Sequence, residues 1–195
     1  MNKNKKMTLR DVIAMSVISI VFGILYLFWI FINGTFGAAI GPFSTAILSG
    51  LWIMACTVCG YIIQKPGVAF VAQMMAALTE VLVGSVSAGS VLILGFTQGL
   101  ACELILLILM YKAWGRKTII LMGMAGTMGN FLTSYYLFEW NLLAPWMLTS
   151  LIIIMLLSGG ITGWWSVLIA ESLGKTGVLD SFPVMKGNQG RAVDG

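Results

Sequence analysis

The amino-acid sequence predicts an all-α integral membrane protein: a bundle of six transmembrane helices with both chain ends on one side of the bilayer. Three observations predict it. Of the 195 residues, 59% are hydrophobic and only 9% are charged, against about 25% charged in ordinary globular domains. The apolar residues gather into six runs of helix length with short turns between them. All eleven Lys and Arg residues lie in the N-terminal segment, the second-to-third turn, the fourth-to-fifth turn or the C-terminal segment, and the three opposite loops hold none. Basic residues stay on the cytoplasmic side, which sets both ends inside.

The elements follow in order. Residues 1–11 form a basic cytoplasmic N-terminus with Lys3, Lys5, Lys6 and Arg10. They resemble the start of a secretory signal, but the next run has full spanning length and no small-residue cleavage site before Gly34, so it reads as a retained helix. Residues 12–174 form the membrane domain. Its first span is 12–32, long enough for a core of about 30 Å, followed by a glycine-rich loop at 33–42. The second span is 44–63, ending at a turn whose Pro66 suits the first position of the next helix. The third covers 67–83, and a Gly/Ser loop at 84–90 leads into the fourth, 91–111. Lys112, Arg116 and Lys117 mark the next turn. The fifth span is 118–138 and the sixth 146–170. Residues 175–195 read as a polar cytoplasmic tail, flexible by composition.

Several function classes drop out. The net charge of +4 sits at helix ends rather than on a nucleic-acid face. Gly174, Lys175 and Thr176 imitate the end of a phosphate-binding loop, yet Ile169 stands where its first glycine belongs, so no ATP hydrolysis is expected. Cys56 and Cys59 form a C-x-x-C inside an apolar run, with no histidine anywhere in the chain. Helix packing explains them better than a metal or redox centre. No duplicated pattern of broken helices supports an inverted-repeat transporter.

The candidate site centres on Glu80. Gln73 and Glu80 are seven residues apart, close to two helical turns, so they share a face with Ala76, Ala77 and Gly84. A lone acidic side chain at mid-membrane costs roughly 2.5–3.5 kcal/mol on insertion scales, and no basic residue lies in any apolar run to offset it. A cationic ligand, a proton or cavity water must satisfy it; a cationic ligand is the expectation. Counting about 1.5 Å per residue, Glu80, Trp52, Gln98 and Asn130 lie roughly 5–12 Å inside the outer end of four spans. Tyr26 and Trp29 reach the same layer from the first span and Thr149 from the sixth. Such a shared polar and aromatic layer suits a pocket open to the outside. Isolated helix-packing contacts are the plainer alternative for Gln98, Asn130 and Thr149. Trp52 could stack on a ring or a delocalised cation, while Tyr135 and Tyr136 read as interface belt or lid. Glu103 either lines the pocket floor or is hydrogen-bonded between helices. Ser16, Ser19 and Gly23 form a small-residue stripe, serving contacts within the bundle or docking to a partner.

A resemblance adds to this reading. LRDVIAMSVISIVFGILYLFW, the uncharged Gly-Pro loop, LSGLWIMA, IIQKPGVAFVAQMMAALTEVLVGS, TQGLACELILLI and the YKAWGRK turn resemble the YkoE family, over roughly residues 8–174. Members are membrane-embedded substrate-binding (S) components of energy-coupling factor (ECF) transporters, associated with thiamine and its hydroxymethylpyrimidine precursor. The resemblance implies a six-helix S-component fold in the bacterial plasma membrane and no catalysis by this subunit. It implies no cofactor, with thiamine as ligand. It also implies partnership with a transmembrane coupling (T) component and ATPase subunits, whose work topples the S component in the membrane. S components commonly dock through an alanine-x-x-x-alanine motif in the first helix, for which Ser19 and Gly23 are the nearest match here. Glu80 would face the thiazolium cation, Trp52 would stack, and Gln98 or Asn130 would bond the pyrimidine. The reading from another class is a small-cation transporter acting alone, with Glu80 and Glu103 carrying protons.

Overall fold

The computed structural model describes residues 6–85, 87–177, 179 and 181–184. Among them every regular element is helical: α1 (Leu9–Ile40), α2 (Pro42–Leu48), α3 (Met54–Ile63), α4 (Val68–Val83), α5 (Ala88–Ile108), α6 (Arg116–Leu137) and α7 (Pro145–Lys175). Two short 3-10 turns, Ser49–Ile53 and Trp140–Leu142, complete the set. Four stretches are long and apolar enough to cross a membrane: Leu9–Ile40, Pro42–Ile63, Ala88–Ile108 and Pro145–Lys175. Helix α4 is apolar but has only 16 residues, about 24 Å, and α6 is rich in glycine and threonine.

Burial sorts these helices. In an 18-residue apolar window of Pro42–Ile63, 78% of the residues are buried, against 28% in that of α1, so α2 and α3 form the central post. All ten residues of α3 are buried. Helices α1, α5 and α7 turn Phe28, Phe31, Leu107, Ile108 and Leu157 outwards, as lipid-facing sides do. Helices meet through small residues, because apolar side chains gain little from each other over lipid. A Cβ on Gly23 of α1 would stand 2.6 Å from the Ala76 carbonyl oxygen and from Thr79 Cβ of α4, and one on Gly95 of α5 would stand 2.6 Å from Ala77 Cβ.

One end of the bundle is ionic. Thr8 caps α1 through a capping box with Asp11: the Thr8 N–H and hydroxyl both donate to Asp11 Oδ2 at 2.7 Å. Lys65, in the α3–α4 turn, pairs with the same oxygen. Arg116 of α6 reaches both Glu171 oxygens of α7 at 3.0 Å, and the Tyr61 hydroxyl donates to Glu171 at 3.3 Å.

One expectation needs correction. The expected loop at 33–42 is largely helical, since α1 runs on to Ile40 and breaks only at Gly41. There φ is +60° and ψ is −136°, a conformation that only glycine adopts cheaply. Beyond α7, Leu179, Phe182 and Val184 are buried. Arg10 holds this segment, donating to the Ser181 carbonyl at 3.1 Å and lying 5.0 Å from the Phe182 ring centre. Residues 185–195 lie outside the described residues.

Candidate functional site

At the end of the bundle opposite the ionic contacts, the helices part around a cavity of about 210 Å³. Pockets for drug-sized ligands run about 300–1,000 Å³, so a small molecule is the fitting occupant. Its wall follows from local structure. Gln73, Ala77 and Glu80 line it as one stripe of α4, at the spacing that puts them on one face. That stripe ends at Gly84, where α4 stops. Gln98 faces it from α5, Asn130 from α6 and Tyr26 from α1. Trp52 comes from the 3-10 turn Ser49–Ile53, where the central post loosens.

Each polar wall residue has a distinct hydrogen-bonding state. The Tyr26 hydroxyl accepts the Ala55 backbone N–H at 2.9 Å, satisfying an orphan donor at the start of α3 and leaving its proton to give. Gln73 Nε2 donates to the Trp52 carbonyl at 2.6 Å and to Gln98 Oε1 at 2.9 Å. Asn130 Oδ1 accepts from the Ser134 hydroxyl at 3.1 Å. Glu80 differs from all of these. It is 3% exposed, and no hydrogen bond or ion pair engages its carboxylate among the described residues. It is also the one formally charged side chain among the described residues that line the cavity.

The structure therefore brings Glu80, Trp52, Gln98, Asn130 and Tyr26 into one wall, and four expected residues lie elsewhere. Glu103 sits at the opposite end of α4. Its carboxylate accepts the backbone N–H groups of Gly67 at 2.6 Å, Ala69 at 3.1 Å and Phe70 at 3.2 Å. It caps the N-terminus of α4, where a negative charge also meets the positive end of the helix dipole. Trp29 packs against the apolar core, and Tyr135 stacks edge-on against Tyr136 with ring centres 5.1 Å apart. Neither lines the cavity. Thr149 bonds back to the Pro145 carbonyl on its own helix.

The small-residue stripe is also placed. Ser19 is fully buried, Gly23 is pressed against Ala76 and Thr79, and the Ser16 hydroxyl turns back to the Val12 carbonyl at 2.8 Å. Gly23 therefore serves the α1–α4 seam, and Ser19 is enclosed beside Cys59 of α3. The rim is formed by Asn33, Thr45, Ser85, Ser87 and Ser90, none of which the depth count along the spans singles out. Asn33 and Thr45 pair at 3.2 Å. The three serines between 85 and 90 are the sequence signal for it, in a stretch that otherwise reads as a connector.

Comparisons with known proteins agree with this architecture. Residues 10–129 match a family described as the permease component of an ABC-type cobalt transport system. Over 183 residues the chain is 31% identical to YkoE of Bacillus subtilis (strain 168), named as an HMP/thiamine permease protein; the match covers 93% of this chain and 92% of that one. A crystal structure of an S component of an ECF transporter superposes with a TM-score of 0.93 at 30% identity, covering 97% of this chain and 98% of that one. This chain belongs to the YkoE family of ECF-transporter S components. It is a membrane transport protein with the S-component fold.

Proposed function

We propose that this chain is the substrate-capture subunit of an ATP-driven ECF vitamin importer, binding thiamine or its hydroxymethylpyrimidine precursor in the cavity. One observation carries the reading: Glu80 is an enclosed, unpaired carboxylate and the one charge of the wall. Thiamine supplies the complement, a thiazolium cation with a neutral aminopyrimidine ring. Trp52 offers an indole face to either ring, a contact worth about 0.5–2 kcal/mol for a cation. Gln98 and Asn130 offer amides to the pyrimidine. The name of the Bacillus subtilis relative supports the same solute class.

The six-span reading completes the picture. Helix α1, the Pro42–Ile63 stretch and α4 to α7 cross the plasma membrane, with both chain ends and the ionic cluster in the cytoplasm. The cavity then opens outwards, away from every basic residue described, and favours cations over phosphorylated forms. The subunit itself is non-catalytic and uses no cofactor; a T component and ATPase subunits supply coupling and energy. The cobalt description of the matched family points to a different cation. Among the described residues no three His, Cys, Asp or Glu side chains come together, and cobalt sites ordinarily use such donors.

Proteoliposomes test the proposal. The chain alone should bind thiamine without accumulating it, and uptake should require the T component, the ATPases and ATP. Accumulation by the chain alone under a pH gradient would instead support the lone proton-coupled transporter.

A further inference from the structure

The cavity wall contains a relay of amides whose direction is fixed. Gln73 Nε2 lies 2.6 Å from the Trp52 carbonyl oxygen and 2.9 Å from Gln98 Oε1. Amide oxygen and nitrogen are alike in shape, so which of them faces a neighbour is ordinarily ambiguous. Here a backbone carbonyl, which can only accept, anchors one end. Gln73 must present its NH2 to Trp52, and the other N–H of that group must find an acceptor. Gln98 answers with its oxygen. Two consequences follow. Gln73 Oε1 is enclosed with no partner, so the residue is held by its donors alone. The Gln98 NH2 is turned away from Gln73 and has no partner among the described residues, on a side chain that lines the cavity.

We propose that Gln73 is a positioning residue that locks Gln98 as a hydrogen-bond donor towards the cavity. The site then selects solutes presenting an unprotonated ring nitrogen there, as an aminopyrimidine does. It rejects the lactam form of the same ring, whose N–H would meet the Gln98 N–H head-on. Glu80 and Gln98 thereby divide recognition: the carboxylate takes positive charge, and the locked amide reads the protonation pattern of the ring. This rests on the vitamin-capture reading above.

The test compares thiamine with oxythiamine, which carries the lactam N–H and carbonyl in place of the ring nitrogen and amino group. Calorimetry on the purified wild-type chain should show thiamine preferred by about tenfold or more, the scale of one mismatched hydrogen bond. In Gln73→Leu, Gln98 is free to turn over and offer its oxygen to the lactam, so the preference should fall below about threefold. Overall loss of packing lowers both affinities together and leaves that ratio unchanged, which separates positioning from a structural role. Equal wild-type binding of the two compounds overturns the proposal, even if Gln73→Leu does not fold. So does a wild-type ratio retained by a folded Gln73→Leu. If wild type binds neither thiamine nor hydroxymethylpyrimidine, the vitamin-capture reading itself fails.

Discussion

Replacing Glu80 by Gln keeps the shape of the side chain and removes its charge, so its consequences can be worked through. In the empty protein the carboxylate is 3% exposed and unpaired among the described residues, an unfavourable state that the change relieves. Glu80→Gln should therefore unfold no earlier than wild type, and somewhat later on heating. Binding should change in the opposite direction. A cation about 4 Å from a carboxylate gains roughly 4 kcal/mol at an effective dielectric of 20. Part of that offsets desolvation of the two charges, leaving a net of about 3 kcal/mol. The thiamine Kd should rise roughly 150-fold. Hydroxymethylpyrimidine has no thiazolium, so its affinity should move by less than about threefold, under 1 kcal/mol. Calorimetry in detergent, paired with thermal unfolding, measures all three quantities. An unchanged thiamine affinity, or equal losses for the charged and neutral compounds, would refute the assignment of Glu80 as counter-ion.

Three further predictions rest on separate contacts. Glu103→Gln leaves one acceptor oxygen where two now serve three N–H groups, so it should cost about 1–2 kcal/mol of stability. Thermal unfolding should show that loss while thiamine affinity stays within about threefold of wild type; strong loss of binding in a fully stable variant would return Glu103 to the ligand site. Trp52→Leu should weaken thiamine by about tenfold and remove most of the ligand-dependent tryptophan fluorescence change, whereas Trp52→Phe should retain most of the affinity. Gly23→Val should destabilise by about 1–3 kcal/mol or prevent folding, because α4 already occupies the space; normal stability with lost assembly of the transporter would restore the docking role of that stripe.

Much of the site was legible because membrane-length helices turn residue number into depth. Glu80, Trp52, Gln98, Asn130 and Tyr26 reach one layer by counting along five helices, and they meet in one wall. Depth does not give rotation, and the misplaced residues show it. Trp29 lies three positions, about 4.5 Å, beyond Tyr26, yet it packs against the apolar core. Ser19 and Gly23 satisfy the spacing for a small-residue contact, but spacing cannot say whether the neighbour is a helix of the same bundle or another protein. Glu103 looked like a second charge in the membrane because its partners, the N–H groups that open α4, come from more than thirty residues away. The break after α1 was misjudged for a local reason. Gly34 and Gly37 each cost a helix about 1 kcal/mol relative to alanine, which does not stop it, whereas Gly41 followed by Pro42 does.

The central claim is that the isolated chain is a capture subunit for a small organic cation. Titration of thiamine into the purified protein, without ATP or partner subunits, tests it most directly by calorimetry. Saturable one-to-one binding at or below the micromolar range, quenching or shifting the Trp52 emission, is the predicted result. Absence of heat and of any fluorescence change with both thiamine and hydroxymethylpyrimidine would contradict it.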